Sequence, residues 1–244
     1  TAVGEFLYDG CSNLKKIVVE EGVTYVSYLA WNTPKLEEIV FPSTLTLTYF
    51  MNYAYLQKYT ISPDNKKYCS VDGVAYSKDM TVLYGYPATK ADLYYKVPAS
   101  VTQIYNYSFS YIKNLKYLDL SDCAVTTIMD KVFNQVQASY LNINLPKTLT
   151  QINYNAFYKP RIQKLYVPST VTTLQNQPFT TNGDSYYMIP GFYTDSEDSA
   201  IKAWADENGY NCTVLHTEHN YSTNVSALTK NPTCKDEGSS MKTC

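Results

Sequence analysis

Leu165-Tyr166-Val167-Pro168-Ser169-Thr170-Val171-Thr172-Thr173-Leu174 decides how this chain folds, because close variants of it return along most of the sequence. Ile39-Val40-Phe41-Pro42-Ser43-Thr44-Leu45-Thr46, Tyr95-Lys96-Val97-Pro98-Ala99-Ser100-Val101-Thr102-Gln103-Ile104 and Ile143-Asn144-Leu145-Pro146-Lys147-Thr148-Leu149-Thr150-Gln151-Ile152 are further copies. Degenerate copies at 17–24 and 118–128 lack the proline. Taking the proline or its equivalent as the mark gives positions 20, 42, 62, 98, 121, 146, 168 and 190, in steps of 22, 20, 36, 23, 25, 22 and 22. A unit this short cannot bury its own apolar face and must stack on its neighbours.

Each unit has a front half, as in Asn13-Leu14-Lys15-Lys16-Ile17-Val18-Val19 and Asn114-Leu115-Lys116-Tyr117-Leu118-Asp119-Leu120. Apolar residues three and then two apart turn alternate positions of a short strand inward. Proline ends the strand, having no N–H for a ladder, and the following Val/Leu-Thr-x-Ile/Leu turns the chain inward again. A period in the low twenties is that of leucine-rich repeats. The expected fold is a repeat solenoid, a right-handed coil of short β-strands and turn segments.

The motifs together resemble the BspA-like leucine-rich repeats of bacterial cell-surface proteins, whose units read roughly Ala-Phe-x-x-Cys-x-x-Leu-x-x-Ile-x-Ile-Pro-x-Ser-Val-Thr-x-Ile-Gly. Residues 1–14 fit that phase through Phe6, Cys11 and Leu14, and Asn155-Ala156-Phe157 repeats its centre. The stretch from Val71 to Pro87 looks like a hairpin common in that family. This chain departs from the pattern in carrying Tyr at many inner positions and in lacking several of the glycines.

The resemblance spans residues 1–215. Within it, the step from 62 to 98 holds an insert opened by Pro63-Asp64-Asn65, with a hairpin at about 68–90 whose strands fall near 74–76 and 82–86. Thr194 followed by Glu197 reads as a capping box, and Gly209 as a stop, for a helix at about 195–208 that caps the stack, with Ile201, Trp204 and Ala205 on one face. Residues 216–244 read as a polar linker, and Asn231-Pro232-Thr233-Cys234-Lys235-Asp236-Glu237-Gly238 with Cys244 resembles the start of a Cys-containing module. Because Thr1 already lies inside a repeat, the sequence reads as a fragment or processed form.

A net charge of -2 with 17% charged residues gives no basic patch for nucleic acid and no polybasic membrane signal. No run of eighteen apolar residues is present to span a membrane. Tyrosine is the outlier, with 26 residues against 8 Phe and 2 Trp, and it serves equally as a shell residue and as a binding residue. Cys11 and Cys123 occupy repeat positions where a free buried cysteine acts as a small apolar residue. Cys234 and Cys244 are placed for a local pair, which the sequence leaves open.

The only histidines, His216 and His219, lie in the tail, so no base stands beside a nucleophile, and no P-loop, Gly-x-Ser-x-Gly, His-Glu-x-x-His or EF-hand loop occurs. With Cys234 and Cys244 these histidines are zinc-type ligands, but on a loose spacing in a solvated linker. The sequons at Asn106, Asn211, Asn220 and Asn224 are read as chance. The chain is read as a monomer, not an enzyme, with no cofactor and no metal.

What remains is surface. With the strands in register, Val18, Val40, Thr60, Lys96, Asp119, Asn144, Tyr166 and Met188 form one exposed column, and Lys16, Glu38, Lys58, Tyr94, Tyr117, Asn142, Lys164 and Tyr186 a second. Solenoids bind through such strips. The expected ligand site is therefore Tyr94, Lys96, Tyr117, Asp119, Asn142, Asn144, Lys164, Tyr166 and Tyr186, with the tyrosines as anchors. The resemblance implies a secreted or cell-surface bacterial adhesion module for a protein ligand, such as a host matrix protein. Carbohydrate capture on the tyrosine rings and a spacer role are the alternatives.

Overall fold

The computed structural model describes residues 2–3, 7–30, 32–50, 53–180 and 189–215, and within them the chain winds as a solenoid of short strands. One face carries two parallel sheets. The first holds Lys16–Val18, Glu38–Phe41 and Lys58–Ile61. The second holds Tyr94–Lys96, Tyr117–Asp119, Leu141–Asn144, Ile162–Tyr166, Phe192–Thr194 and Cys212–Val214. Shorter parallel strands such as Thr127–Ile128, Gln151–Ile152 and Thr173–Leu174 line another side of the coil.

The proline motif supplies the stitching. The carbonyls of Pro98, Pro146 and Pro168 accept from the N–H groups of Val101, Leu149 and Val171, each at 3.0 Å, closing a tight turn. The threonine inside that turn reaches back one coil: Thr44 Oγ1 donates to the Val23 carbonyl, Thr148 to Val125 and Thr170 to Leu149, at 2.9, 2.8 and 2.8 Å. Threonine recurs here because its hydroxyl satisfies a carbonyl of the preceding unit that would otherwise lack a partner.

Inward positions are filled by Leu118, Ile143 and Leu165, all fully buried, at about 1.5–3 kcal/mol each. Behind them runs a phenylalanine spine. The rings of Phe109 and Phe133 stack at 5.5 Å, and those of Phe133 and Phe157 at 4.7 Å. The bends flanking the spine hold left-handed residues without glycine. Tyr107, Lys131, Asn155 and Gln177 have φ of 64, 57, 54 and 53°. The N–H groups of Tyr107, Lys131 and Asn155 each donate to the carbonyl of the equivalent residue in the next coil, at 3.2, 3.1 and 3.1 Å.

The insert is a three-stranded antiparallel unit, Tyr68–Val71, Val74–Ser77 and Val82–Gly85, richer by one strand than expected. Asp72 (φ 48°) and Gly73 (φ 80°) form its first turn, the Asp-Gly pair favoured in two-residue hairpins. Asn65 anchors the entry: buried, it donates through Nδ2 to the carbonyls of Pro42 and Leu45 at 2.9 and 3.0 Å and accepts through Oδ1 from the N–H groups of Lys67 and Tyr68. The insert divides the core, with Tyr68 and Ala75 packing toward the first coils and Val74, Tyr76 and Leu83 toward the later ones.

The helix spans Ala200–Asn208 rather than beginning at 195. Its N-cap is Ser199, whose side chain accepts from Lys202 N–H, and Thr194 is a buried strand residue paired with Val214. Sheet pairing outcompetes the local Thr194/Glu197 capping box. The stop is at Gly209, in the left-handed conformation. Ile201 and Ala205 are buried, and Trp204 packs against Phe179 and Phe192 at the end of the spine. Cys123 is buried as expected, whereas Cys11 is exposed. The polar tail, with His216, His219, Cys234 and Cys244, lies outside the described residues.

Candidate functional site

Register places the predicted columns side by side. Tyr94, Tyr117, Asn142 and Lys164 are aligned partners on neighbouring strands, as are Lys96, Asp119, Asn144 and Tyr166. Alternation does this: the buried residue between each pair, such as Leu118 or Ile143, points into the core and sends both neighbours outward.

Three features differ from the expected strip. The columns are not continuous with Lys16, Glu38 and Lys58, because the Asp72-Gly73 turn stands between the two sheets, where the Gly73 carbonyl accepts from Tyr59 N–H at 2.8 Å. Tyr186 and Met188 lie outside the described residues, and the next strand of this sheet after Ile162–Tyr166 is Phe192–Thr194, which sets Tyr193 opposite Tyr166. Pro190 precedes its strand instead of ending it, so counting from the proline missed Tyr193. Aligning the inward apolar residue Phe192 with Leu165 would have found it. Asp119, finally, is only 9% exposed, since its neighbours fold over it.

The face that results has aromatic ends and a polar centre. Tyr94 and Tyr117 stack with centroids 5.7 Å apart and planes 17° from parallel. Tyr166 and Tyr193 stack at 4.9 Å and 26°, with Lys164 Nζ 5.5 Å from the Tyr193 ring centroid. Between the stacks, Asp119 Oδ1 accepts from Ser121 N–H at 2.9 Å, and Tyr94 Oη and Asn144 Nδ2 approach its carboxylate at 3.4 and 3.5 Å. Lys96 Nζ pairs with Asp122 at 2.6 Å and stands 3.8 Å from Asp119. The Asp122 contact raises the Lys96 ammonium above its ordinary range and lowers the Asp122 carboxyl in return. Asn142 donates from Nδ2 to the carbonyls of Lys116 and Tyr140. The arrangement presents fixed aromatic rings and prearranged donors and acceptors, chemistry suited to recognition. No cluster of three or more His, Cys, Asp or Glu side chains placed to hold a metal occurs among the described residues.

The family model for the BspA type leucine-rich repeat region matches in six copies, over residues 1–68 and 93–184. This chain belongs to the BspA-type leucine-rich repeat family. The stretch between the matched regions, 69–92, holds most of the insert. Among solved structures, the pneumococcal vaccine antigen PcpA is similar with a TM-score of 0.59 at 20% identity, over 88% of this chain and 65% of PcpA. A leucine-rich repeat protein from Eubacterium ventriosum is similar with a TM-score of 0.54 at 20% identity, over 85% of this chain and 57% of the other. The BspA-type chain thus spans less than two thirds of the length of either. No curated protein matches it. No helix among its described residues is long and apolar enough to cross a membrane.

Proposed function

We propose that this BspA-type domain is a non-catalytic recognition module of the bacterial cell surface that binds an extracellular protein through the sheet from Tyr94 to Tyr193. The observation that carries the reading is the pair of tyrosine stacks. Tyr117 and Tyr166 stand two strands apart, about 10 Å along the solenoid axis, on a rigid sheet whose opposite side is core. Aromatic side chains held this way lose little entropy on binding and supply the anchors that dominate interface energetics. The intervening Asp119, Asn142 and Asn144 give register and polarity.

The test is a binding screen of residues 1–215 against arrayed extracellular-matrix proteins, with a Tyr94→Ala/Tyr117→Ala/Tyr166→Ala variant in parallel. Saturable binding that weakens at least about tenfold in a variant of unchanged thermal stability supports the reading. Binding that survives the triple substitution moves the site off this face, and binding to no protein leaves a spacer role.

A further inference from the structure

At the far end of the solenoid, between the last bend of the coil and the helix, a cleft of about 310 Å³ is lined by the rings of Phe179, Trp204 and Tyr210 and by the polar side chains of Asn176, Gln177, Thr180 and Asn208. Its size falls near the lower end of ligand clefts, roughly 300–1,000 Å³, with room for a small molecule and none for a folded partner.

The aromatic wall is preorganised. Trp204 and Tyr210 stack at 5.3 Å and 21°, and Phe179 meets Trp204 edge-on at 4.9 Å. The rest of the lining is Thr180 and the neutral amides of Asn176, Gln177 and Asn208. Asn208 is oriented by donating from Nδ2 to the Trp204 carbonyl at 2.8 Å, which leaves its Oδ1 as an acceptor. The side-chain amides of Asn176 and Gln177 are exposed and make no hydrogen bond among the described residues, and the left-handed bend at Gln177 (φ 53°) sets both at the cleft. Among the described residues no charged side chain lines it.

We infer that this cleft binds a neutral saccharide of mono- to disaccharide size. A pyranose has an apolar C–H face that packs on an aromatic ring, and a rim of hydroxyls that each donate and accept. Free carboxamides offer both functions side by side, which is the complement of adjacent hydroxyls. A cationic ligand would call for a carboxylate and an anionic one for a lysine or arginine, and the described residues of the cleft supply neither. The site is separate from the tyrosine sheet and does not depend on it.

The chain has two tryptophans, Trp31 and Trp204, so a Trp31→Phe background makes Trp204 the sole indole reporter. In that background, residues 1–215 are titrated with glucose, galactose, mannose, N-acetylglucosamine and their β-linked disaccharides, and separately with tetramethylammonium. The expected result is a saturable change in Trp204 emission with at least one sugar. It should weaken about tenfold or more when Asn176→Ala and Gln177→Gly remove two amides, and persist in the Tyr94→Ala/Tyr117→Ala/Tyr166→Ala variant. Both amides are exposed and glycine suits the bend at 177, so the double variant keeps its melting temperature. Absence of a saturable response to every sugar, an equal response in the amide variant, or a response to tetramethylammonium alone each overturns the inference.

Discussion

The backbone N–H of Tyr59 donates to the carbonyl of Gly73 at 2.8 Å, so the insert's first turn occupies the sheet edge that the next coil would otherwise use. Gly73 is the residue that permits this approach. Its φ is +80°, and a Cβ there would sit 2.8 Å from Lys58 Cβ and 3.3 Å from Lys58 Cα. Gly22 has φ +93° but nothing within 4 Å of a Cβ. Gly22→Ala should therefore cost only the left-handed strain, about 1 kcal/mol, and Gly73→Ala about 2–3 kcal/mol because the strands must also part. Urea unfolding of the two variants decides it, and equal losses would show that the close approach does not matter.

Asn65 has both amide protons and its carbonyl oxygen engaged while buried. Asn65→Ala strands the Pro42 and Leu45 carbonyls and two N–H groups at once, and should lower stability by about 3 kcal/mol. Asn65→Asp keeps the acceptor, loses both donors and buries a charge, so it should be at least as damaging at neutral pH. An aspartate variant of wild-type stability, measured by thermal melting, would mean that the donated bonds contribute nothing.

Phe133 lies at the middle of the spine, stacked on Phe109 and Phe157. Phe133→Ala opens a cavity between coils and should cost about 3–5 kcal/mol, whereas Phe133→Leu retains most of the volume and should cost about 1–1.5 kcal/mol. Because each coil contacts only its neighbours, proteolysis of Phe133→Ala should begin near 109–157 and spare the first coils longest. Uniform digestion would show that the solenoid opens as a whole.

Buried and half-buried tyrosines give the protein an alkaline limit. Burial pushes the Tyr53 phenol up to about 12, and it raises Tyr59, Tyr76 and Tyr95 as well, the last two sharing a hydroxyl contact. An acid whose folded pKa is raised contributes stability fully below its unfolded pKa, near 10, and loses it as pH climbs through the folded value. Unfolding free energy should thus fall between about pH 10 and pH 12, by roughly 2–3 kcal/mol for Tyr53 alone. Tyrosinate absorbance followed during the titration should show a delayed fraction that appears together with loss of the β circular-dichroism signal. Full ionisation near pH 10 with the fold intact would overturn this.

The strand register is legible in the sequence, since the apolar residues at 95, 118, 143 and 165 leave only one set of positions outward. The break in the columns is not, because whether an insert bulges outward or wedges between strands depends on the Gly73 approach to Lys58, which no pattern encodes. The helix start was misplaced for a related reason. Thr194 and Glu197 make a sound local cap, but Thr194 gains more by pairing in the sheet, and Ser199 takes the role. Counting from the proline does not reach Tyr193, because Pro190 precedes the strand Phe192–Thr194 instead of ending it, and the cleft beside Trp204 depends on the helix packing against Phe179, which no repeat count encodes. Tyr94 and Tyr117 stand in register in one column and Tyr166 in the other.

The left-handed bends at Tyr107, Lys131, Asn155 and Gln177 carry four different side chains in one backbone shape. Each N–H from 107 to 155 is held by the carbonyl of its counterpart in the next coil, so the conformation is templated by the adjoining turn rather than written in the residue that adopts it. The strain of each position, of order 1 kcal/mol, is spread along the stack. Such bends are free to drift in sequence, and a surface that begins as scaffold can acquire an amide, a lysine or a ring without any change of path. The cleft at Gln177 lies on one of these positions.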